Sequence, residues 1–260
     1  DRQMKAMIFA AGLGTRLKPF TDFHPKALAE VCGRPMLGVV IERLKMAGIS
    51  EIIVNVHHFA DQIVDYLHRN NDFGVRLHIS DETSELLDTG GGILAARRWL
   101  DGDEPFVVHN ADILTDVDIA GMLSVARSTG AASTLLVASR VTKRYLLFDP
   151  VDNRLKGWVN IETGQYRPSG FRMSDKFRKL AFGGVHVISP SVFPSLAAYA
   201  ATKSDSHAGA IPKFSITDFY IDNCSELPIL GYQSPEPYRW HDIGKPESLE
   251  AAQNDFARYL

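Results

Sequence analysis

The chain is poor in cysteine, in net charge and in long apolar runs, and each shortage removes a class of function. It has 2 cysteines, Cys32 and Cys224, without CxxC spacing. Two reduced, buried thiols are therefore expected rather than a disulfide framework or a cysteine metal site. A formal net charge of −3 argues against a general nucleic-acid binder and leaves room only for a local basic pocket. No uninterrupted apolar stretch approaches the roughly 20 residues of a membrane-spanning helix. The N-terminus lacks a charged-then-apolar leader pattern, and Met4, after Asp1-Arg2-Gln3, reads as the natural start. The expectation is a cytoplasmic protein with neither membrane nor nucleic acid as partner. Internal repeats and low-complexity tracts are missing too. What remains, 45% hydrophobic and 23% charged over 260 residues, suits a single α/β domain with a small lobe.

The first half alternates strand-like and helix-like segments. Met7–Phe9, Ile52–Val56, Val75–Ile79 and Phe106–Val108 are β-rich runs. Between them, Leu37, Val40, Ile41 and Leu44 recur at helical spacing behind Pro35, with Gly48 as the stop. Ile63, Val64 and Leu67 mark a second helix, and a glycine cluster opens a third over Gly91–Trp99. Such β-then-α order predicts a Rossmann-like, mostly parallel sheet flanked by helices. The second half reads differently. Ala132–Ala138, Tyr145–Phe148, Leu155–Asn160 and Leu180–Ile188 follow one another as strands, predicting antiparallel additions that make the sheet mixed and form a small substrate-facing lobe. A helix is expected from Ser189-Pro190 through Leu196, a surface loop over 203–210, and a closing helix from Pro246 carrying Leu249, Ala252, Phe256 and Leu260. The domain thus divides into a nucleotide-binding half, 4–130, and a sugar-phosphate-binding half with the closing helix, 131–260.

The richest stretch follows the first strand: Ala10-Ala11-Gly12-Leu13-Gly14-Thr15-Arg16-Leu17-Lys18-Pro19, then Thr21 and Pro25-Lys26-Ala27-Leu28. Small residues let backbone approach a nucleotide, and free N–H groups can bind phosphate oxygens. The spacing is neither GxGxxG, since Leu17 takes the third glycine position, nor GxxxxGK[ST]. A dinucleotide-binding dehydrogenase is disfavoured accordingly. The run resembles the signature of the sugar-1-phosphate nucleotidyltransferases almost position for position. The resemblance implies nucleotide binding by Ala10, Ala11, Gly12, Gly14 and Thr15. It also implies catalytic roles for Arg16, whose fork suits a departing pyrophosphate, and Lys26, a compact charge suited to the α-phosphate or the incoming sugar phosphate.

Two distant carboxylates extend the resemblance. Asn110-Ala111-Asp112 ends a strand and is similar to the family's Asn-Gly-Asp element, with Ala111 in place of glycine. Trp240-His241-Asp242-Ile243-Gly244-Lys245-Pro246-Glu247 resembles the family's Trp-x-Asp-Ile-Gly-Thr-Pro-Glu, with Lys245 replacing threonine. The resemblance implies Asp112 and Asp242 as ligands of Mg2+, which favours a few carboxylates beside water and phosphate oxygens, and Asn110 as a sugar-phosphate contact.

Thr89-Gly90-Gly91-Gly92, with Glu82 upstream, looks most like the N-acetylmuramate 1-phosphate uridylyltransferases and places Thr89, Gly90, Gly91 and Glu82 against the nucleobase. On the sugar side the match thins. Glu162 stands nearest the family's Glu-Lys-Pro and Gly184 carries over, while Phe182 replaces an amide. His57-His58 could ligate a metal, but no third ligand has suitable spacing.

The expected reaction joins a nucleoside triphosphate to a sugar 1-phosphate, releasing pyrophosphate. UTP with N-acetylmuramate 1-phosphate or a similar hexose 1-phosphate comes first, and GTP with mannose 1-phosphate or a heptose 1-phosphate second. A cytidylyltransferase acting on a non-sugar alcohol phosphate and a non-catalytic regulatory homologue are the rivals; the second should have lost cations or carboxylates that are present here. No hexapeptide repeat of a β-helix follows, so monomer or homodimer is expected.

Overall fold

The computed structural model describes residues 3–203 and 209–257. Strand β1 (Lys5–Phe9) runs into the glycine-rich loop, and a short hairpin, β2 (Glu30–Val31) with β3 (Arg34–Pro35), leads to α1 (Met36–Met46). There follow β4 (Glu51–Val56), α2 (Ala60–Arg69), β5 (Arg76–Asp81), α3 (Asp88–Ala95) and α4 (Arg97–Leu100). The first half closes with β6 (Phe106–Asn110), β7 (Ile113–Thr115) and α5 (Ile119–Thr129). The second half opens with strands β8 (Ser133–Ala138), β9 (Arg144–Phe148), β10 (Leu155–Asn160), β11 (Gln165–Arg167) and β12 (Arg178–Ile188). It continues through α6 (Phe193–Lys203), α7 (Ile216–Asn223), β13 (Ile229–Tyr232), β14 (Trp240–Asp242) and α8 (Pro246–Phe256).

Ten strands form one mixed sheet with a main order β11-β10-β9-β12-β6-β1-β4-β5, and β8 and β13 branch from β12. The β6-β1-β4-β5 block is parallel. Strands β6, β1 and β4 are buried on both faces, and alternate side chains go to opposite cores. Ala6 and Ile8 of β1 and Val107 of β6 join the core under α1, α2, α5 and α8. Met7, Phe106 and Val108 join the core under α3, α4, α6 and α7. The long β12 changes partners along its length, taking β9 at Arg178–Leu180 and β6 at Val185–Ile188. Its pairing with β8 shifts register between Phe182 and His186, where Gly184 has φ 72°.

The mixed, mostly parallel sheet and the antiparallel second half agree with expectation. Two details differ. The third helix starts earlier, at Asp88, and divides at Ala96 into α3 and α4. Helices α5 and α7 and the small pair β7–β14 carry no strong sequence pattern, yet β14 delivers Asp242. Of the expected loop over 203–210, residues 204–208 lie outside the described residues, as does Leu260 of the closing helix. Cys32 and Cys224 are both free thiols. Among the described residues no helix is long and apolar enough to cross a membrane.

Candidate active site

A cleft of about 490 Å³ opens at the carboxyl ends of the parallel strands, where open α/β sheets collect ligands. The glycine loop leaves β1 there, Asn110-Ala111-Asp112 ends β6 beside it, and Asn55 and Glu82 stand at the ends of β4 and β5. Gly14 has φ 64°, and a Cβ at that position would lie 2.8 Å from both Lys26 Cβ and Thr21 Cγ2. Only glycine gives the turn while letting the Lys26 segment fold over it. Thr21 Oγ1 donates to the Gly14 carbonyl at 2.8 Å and pins the far end of the loop.

The two cations and two carboxylates meet at this loop. Lys26 Nζ is 2.7 Å from Asp112 Oδ2, with both side chains largely buried. The Arg16 guanidinium stands 3.9 Å from Asp242 Oδ2. Asp112 and Asp242 are far apart in sequence, but Ile243 N donates to the Asp112 carbonyl at 2.9 Å, and β14 lies antiparallel to β7 with Asp242 opposite Ile113. Gly244 N donates to Asp242 Oδ1 at 2.8 Å, and a Cβ on Gly244 would come within 2.5 Å of the Arg16 guanidinium. The glycine of this motif therefore leaves the space that the end of the Arg16 side chain fills.

Other anticipated residues occupy varied positions. Gly12, Thr15, Thr89 and Asn110 line the cleft with Ala10 and Ala11. The Ala10 and Ala11 N–H groups, however, donate to Asn55 Oδ1 at 2.7 and 3.2 Å, so they are already satisfied within the protein. Glu82 lines the cleft but is 2% exposed, its carboxylate accepting from Asn55 Nδ2 at 2.7 Å and Leu87 N at 2.9 Å. Burial pushes the Glu82 carboxyl above its ordinary pKa, against the downward pull of those two bonds and of His57. Gly90 and Gly91 are not in the cleft wall. Their N–H groups donate to the Phe214 carbonyl at 2.9 and 3.3 Å, and a Gly90 Cβ would strike the Phe214 ring. Their smallness serves helix packing. Thr89 Oγ1 accepts from Ile216 N at 2.8 Å, tying α3 to α7.

Gly184 lies beside the cleft, leaving room for Asn110 Nδ2, which a Cβ would approach to 2.9 Å. Glu162 is elsewhere: it is exposed on the β10–β11 turn and paired with Lys143 at 2.8 Å. His57 and His58 turn to the Glu82 and Thr21 carbonyls, at 2.6 and 2.7 Å. The pattern reading passed over Asn55, Leu86, Asp88 and Lys213, all in the cleft wall. Asn55, a polar residue inside the run Ile52–Val56, was the one legible signal among them.

A doubly flanked α/β sheet with a glycine turn, two cations and two carboxylates gathered beside its strand ends is the arrangement of a nucleotide-handling transferase. Comparison narrows this: residues 5–258 match the family described as nucleotidyl transferase, and the chain belongs to it. An N-acetylmuramate alpha-1-phosphate uridylyltransferase of Caulobacter vibrioides is 33% identical over 254 residues, covering 95% of each chain. The protein of that name from Neisseria meningitidis is 34% identical over 200 residues, 77% of this chain and 81% of its own. A probable mannose-1-phosphate guanylyltransferase of Oryza sativa is 33% identical over 136 residues, 52% of this chain and 38% of its own. These names fall in the class that the glycine loop resembles. In fold, the chain is similar to a putative glucose-1-phosphate thymidylyltransferase from Bacillus anthracis, with TM-score 0.76 at 20% identity over 99% of this chain and 96% of that one. HddC from Yersinia pseudotuberculosis superposes with TM-score 0.69 at 21% identity, covering 98% and 100%.

Proposed function

We propose that the chain transfers a uridylyl group from UTP to N-acetylmuramate 1-phosphate or a closely similar hexose 1-phosphate. The observation that carries the chemistry is the convergence of Arg16, Lys26, Asp112 and Asp242 at the glycine loop, joined by the 2.9 Å bond from Ile243 N to the Asp112 carbonyl. The choice of substrates is supported by the near end-to-end match to the Caulobacter relative. The nucleotide would lie in the half spanning residues 4–130 and the sugar phosphate against the half spanning 131–260.

A phosphate oxygen of the sugar phosphate attacks the α-phosphorus. The new P–O bond forms as the bond to the bridging oxygen breaks, and pyrophosphate leaves with the electron pair. The attacking phosphate is already ionised at neutral pH, its second pKa being about 6, so no general base is required. Lys26 holds the α-phosphate or incoming phosphate and Arg16 the departing pyrophosphate, each stabilising charge that grows in the transition state. Asp112 and Asp242 offer two hard oxygen donors, and among the described residues no group of three or more His, Cys, Asp or Glu could hold a metal. That donor set fits a cation completed by water and phosphate, and Asp112 and Asp242 would hold Mg2+. When bound, Mg2+ neutralises phosphate charge.

The test is a pyrophosphate-release screen of UTP, GTP, CTP, ATP and dTTP against a panel of sugar 1-phosphates with magnesium. Release with UTP and an N-acetylated hexosamine 1-phosphate is expected. Release confined to GTP and mannose 1-phosphate would replace this reading with the guanylyl one.

A further inference from the structure

Asp242 is carried by an element with few bonds of its own. β14 has 3 residues and pairs with the 3 residues of β7, too short a ladder to fix the direction of a carboxylate by itself. Side chains alternate along a strand, so Trp240 and Asp242 share one face of β14 and His241 takes the other. On the His241 face, the ring Nε2 lies 2.8 Å from Asp255 Oδ2 of α8. The face that carries Asp242 is held by a different device.

Arg140, half-buried just past the end of β8, places its guanidinium 3.4 Å from the Trp240 ring centroid and donates from Nη2 to the Phe182 carbonyl at 3.2 Å. Trp240 Nε1 donates to the next carbonyl, that of Gly183, at 2.8 Å. Two stacked side chains from separate elements thus take successive carbonyls of β12. Those carbonyls open the irregular stretch, Phe182 to His186, where β12 shifts register against β8. Gly184 follows, and a Cβ there would lie 2.8 Å from Ile113 Cγ1 and 2.9 Å from Asn110 Nδ2. Ile113 is the residue opposite Asp242 in the β7–β14 ladder. The contacts close a ring: Arg140 to Trp240, Trp240 to the β12 bulge, the bulge to Ile113, and Ile113 back to Asp242. Charge follows the same route. Burial lowers the Arg140 pKa, while Tyr238 and Asp242 draw it back up, so the guanidinium feels the Asp242 carboxylate.

We propose that Arg140 and Trp240 are positioning residues of the transferase: their stacked pair, fastened to the Phe182 and Gly183 carbonyls, fixes the direction of the Asp242 carboxylate beside Asp112. Neither side chain has to touch a substrate for this. A guanidinium suits the place, because it stacks on the indole with one face and still donates in its own plane. A lysine would keep the charge but neither the flat face nor the fork. The inference rests on the reading of Asp112 and Asp242 as holders of Mg2+, and not on which base or sugar is bound.

The experiment measures UTP affinity by calorimetry, once with Mg2+ and once with EDTA, for wild type, Arg140→Ala and Arg140→Lys. Pyrophosphate release across a magnesium titration, with the acceptor the screen selects, is read beside it. Wild type is expected to bind UTP more tightly with Mg2+. In Arg140→Ala that gain should shrink about 10-fold, with the metal-free affinity held within about 2-fold. The magnesium concentration for half-maximal release should rise about 10- to 100-fold, and kcat should return to within about 3-fold of wild type at saturating magnesium. Arg140→Lys should fall between the two, and it carries the test where Arg140→Ala melts early. An unchanged Mg2+ gain in both variants overturns the clamp and leaves the metal site standing. A loss of kcat that saturating magnesium does not recover overturns it too, since Arg140 would then act on a substrate. No Mg2+ gain in wild type removes the metal reading and the clamp with it.

Discussion

Lys26 sits in the ion pair with Asp112 at 2.7 Å, and a phosphate entering the cleft competes for the same ammonium. On the proposed mechanism its charge meets the α-phosphate or the incoming phosphate, so Lys26→Ala should lower kcat by about 10²- to 10³-fold in pyrophosphate release. KM for the nucleotide should change far less. A drop confined to KM would make Lys26 a binding residue only. Gly14 makes a separate prediction. A side chain there meets both an αL backbone and contacts of 2.8 Å to Lys26 and Thr21. Gly14→Ala should cost about 1–3 kcal/mol of stability, read from urea unfolding, because strain and overlap add. An unchanged midpoint would show that the loop relaxes freely.

At the scale of elements, the candidate site depends on two small connections. The first is the β7–β14 pair, which carries Asp242 to Asp112. The second is Asn55 at the end of β4, which caps the Ala10 and Ala11 N–H groups while donating to buried Glu82. Asn55→Ala leaves those buried groups unpartnered and should destabilise the protein by about 2–4 kcal/mol. It should also raise KM for the nucleotide more than KM for the sugar phosphate, a split that steady-state kinetics measures. These links explain which elements were legible beforehand. The strand–glycine turn, Asp112 and the Trp-x-Asp-Ile-Gly run lie in local stretches whose residue types speak for themselves. β7, β14 and α7 are short and owe their conformation to partners far along the chain, so no periodicity marks them. The Gly90-Gly91 pair has a packing role that was hidden for a related reason. A glycine run opening a helix resembles a ligand-binding turn, and only the Phe214 ring packed against it reveals a packing role. Glu162 likewise matched a motif by position, but the hairpin that carries it ends in solvent with Lys143.

Across the whole molecule, the strand ends that build the cleft depend on a core containing an unusual polar cluster. His186 Nδ1 lies 2.5 Å from the Tyr220 hydroxyl, to which Ser133 Oγ donates at 2.8 Å, and His109 is buried on the neighbouring β6. Desolvation lowers His109 to a pKa of about 4 and His186 to about 3, the latter also repelled by His109. In the unfolded chain both return to about 6.5. The unfolded state therefore binds more protons below that value, and stability from the neutral pair is complete above about pH 6.5 and lost as pH falls toward 3–4. Thermal melts should drop steadily from pH 6.5 to 4, with a shallower fall in His186→Gln. A level profile would contradict a buried neutral pair. The account as a whole turns on Asp112 and Asp242 acting as one metal site beside Arg16 and Lys26. Its most direct test is pyrophosphate release from UTP and the sugar 1-phosphate across a magnesium titration, for wild type, Asp112→Asn and Asp242→Asn. The account predicts strict magnesium dependence in wild type and at least about 100-fold lower turnover in both variants at saturating magnesium. Undiminished, magnesium-dependent turnover in either variant would contradict it.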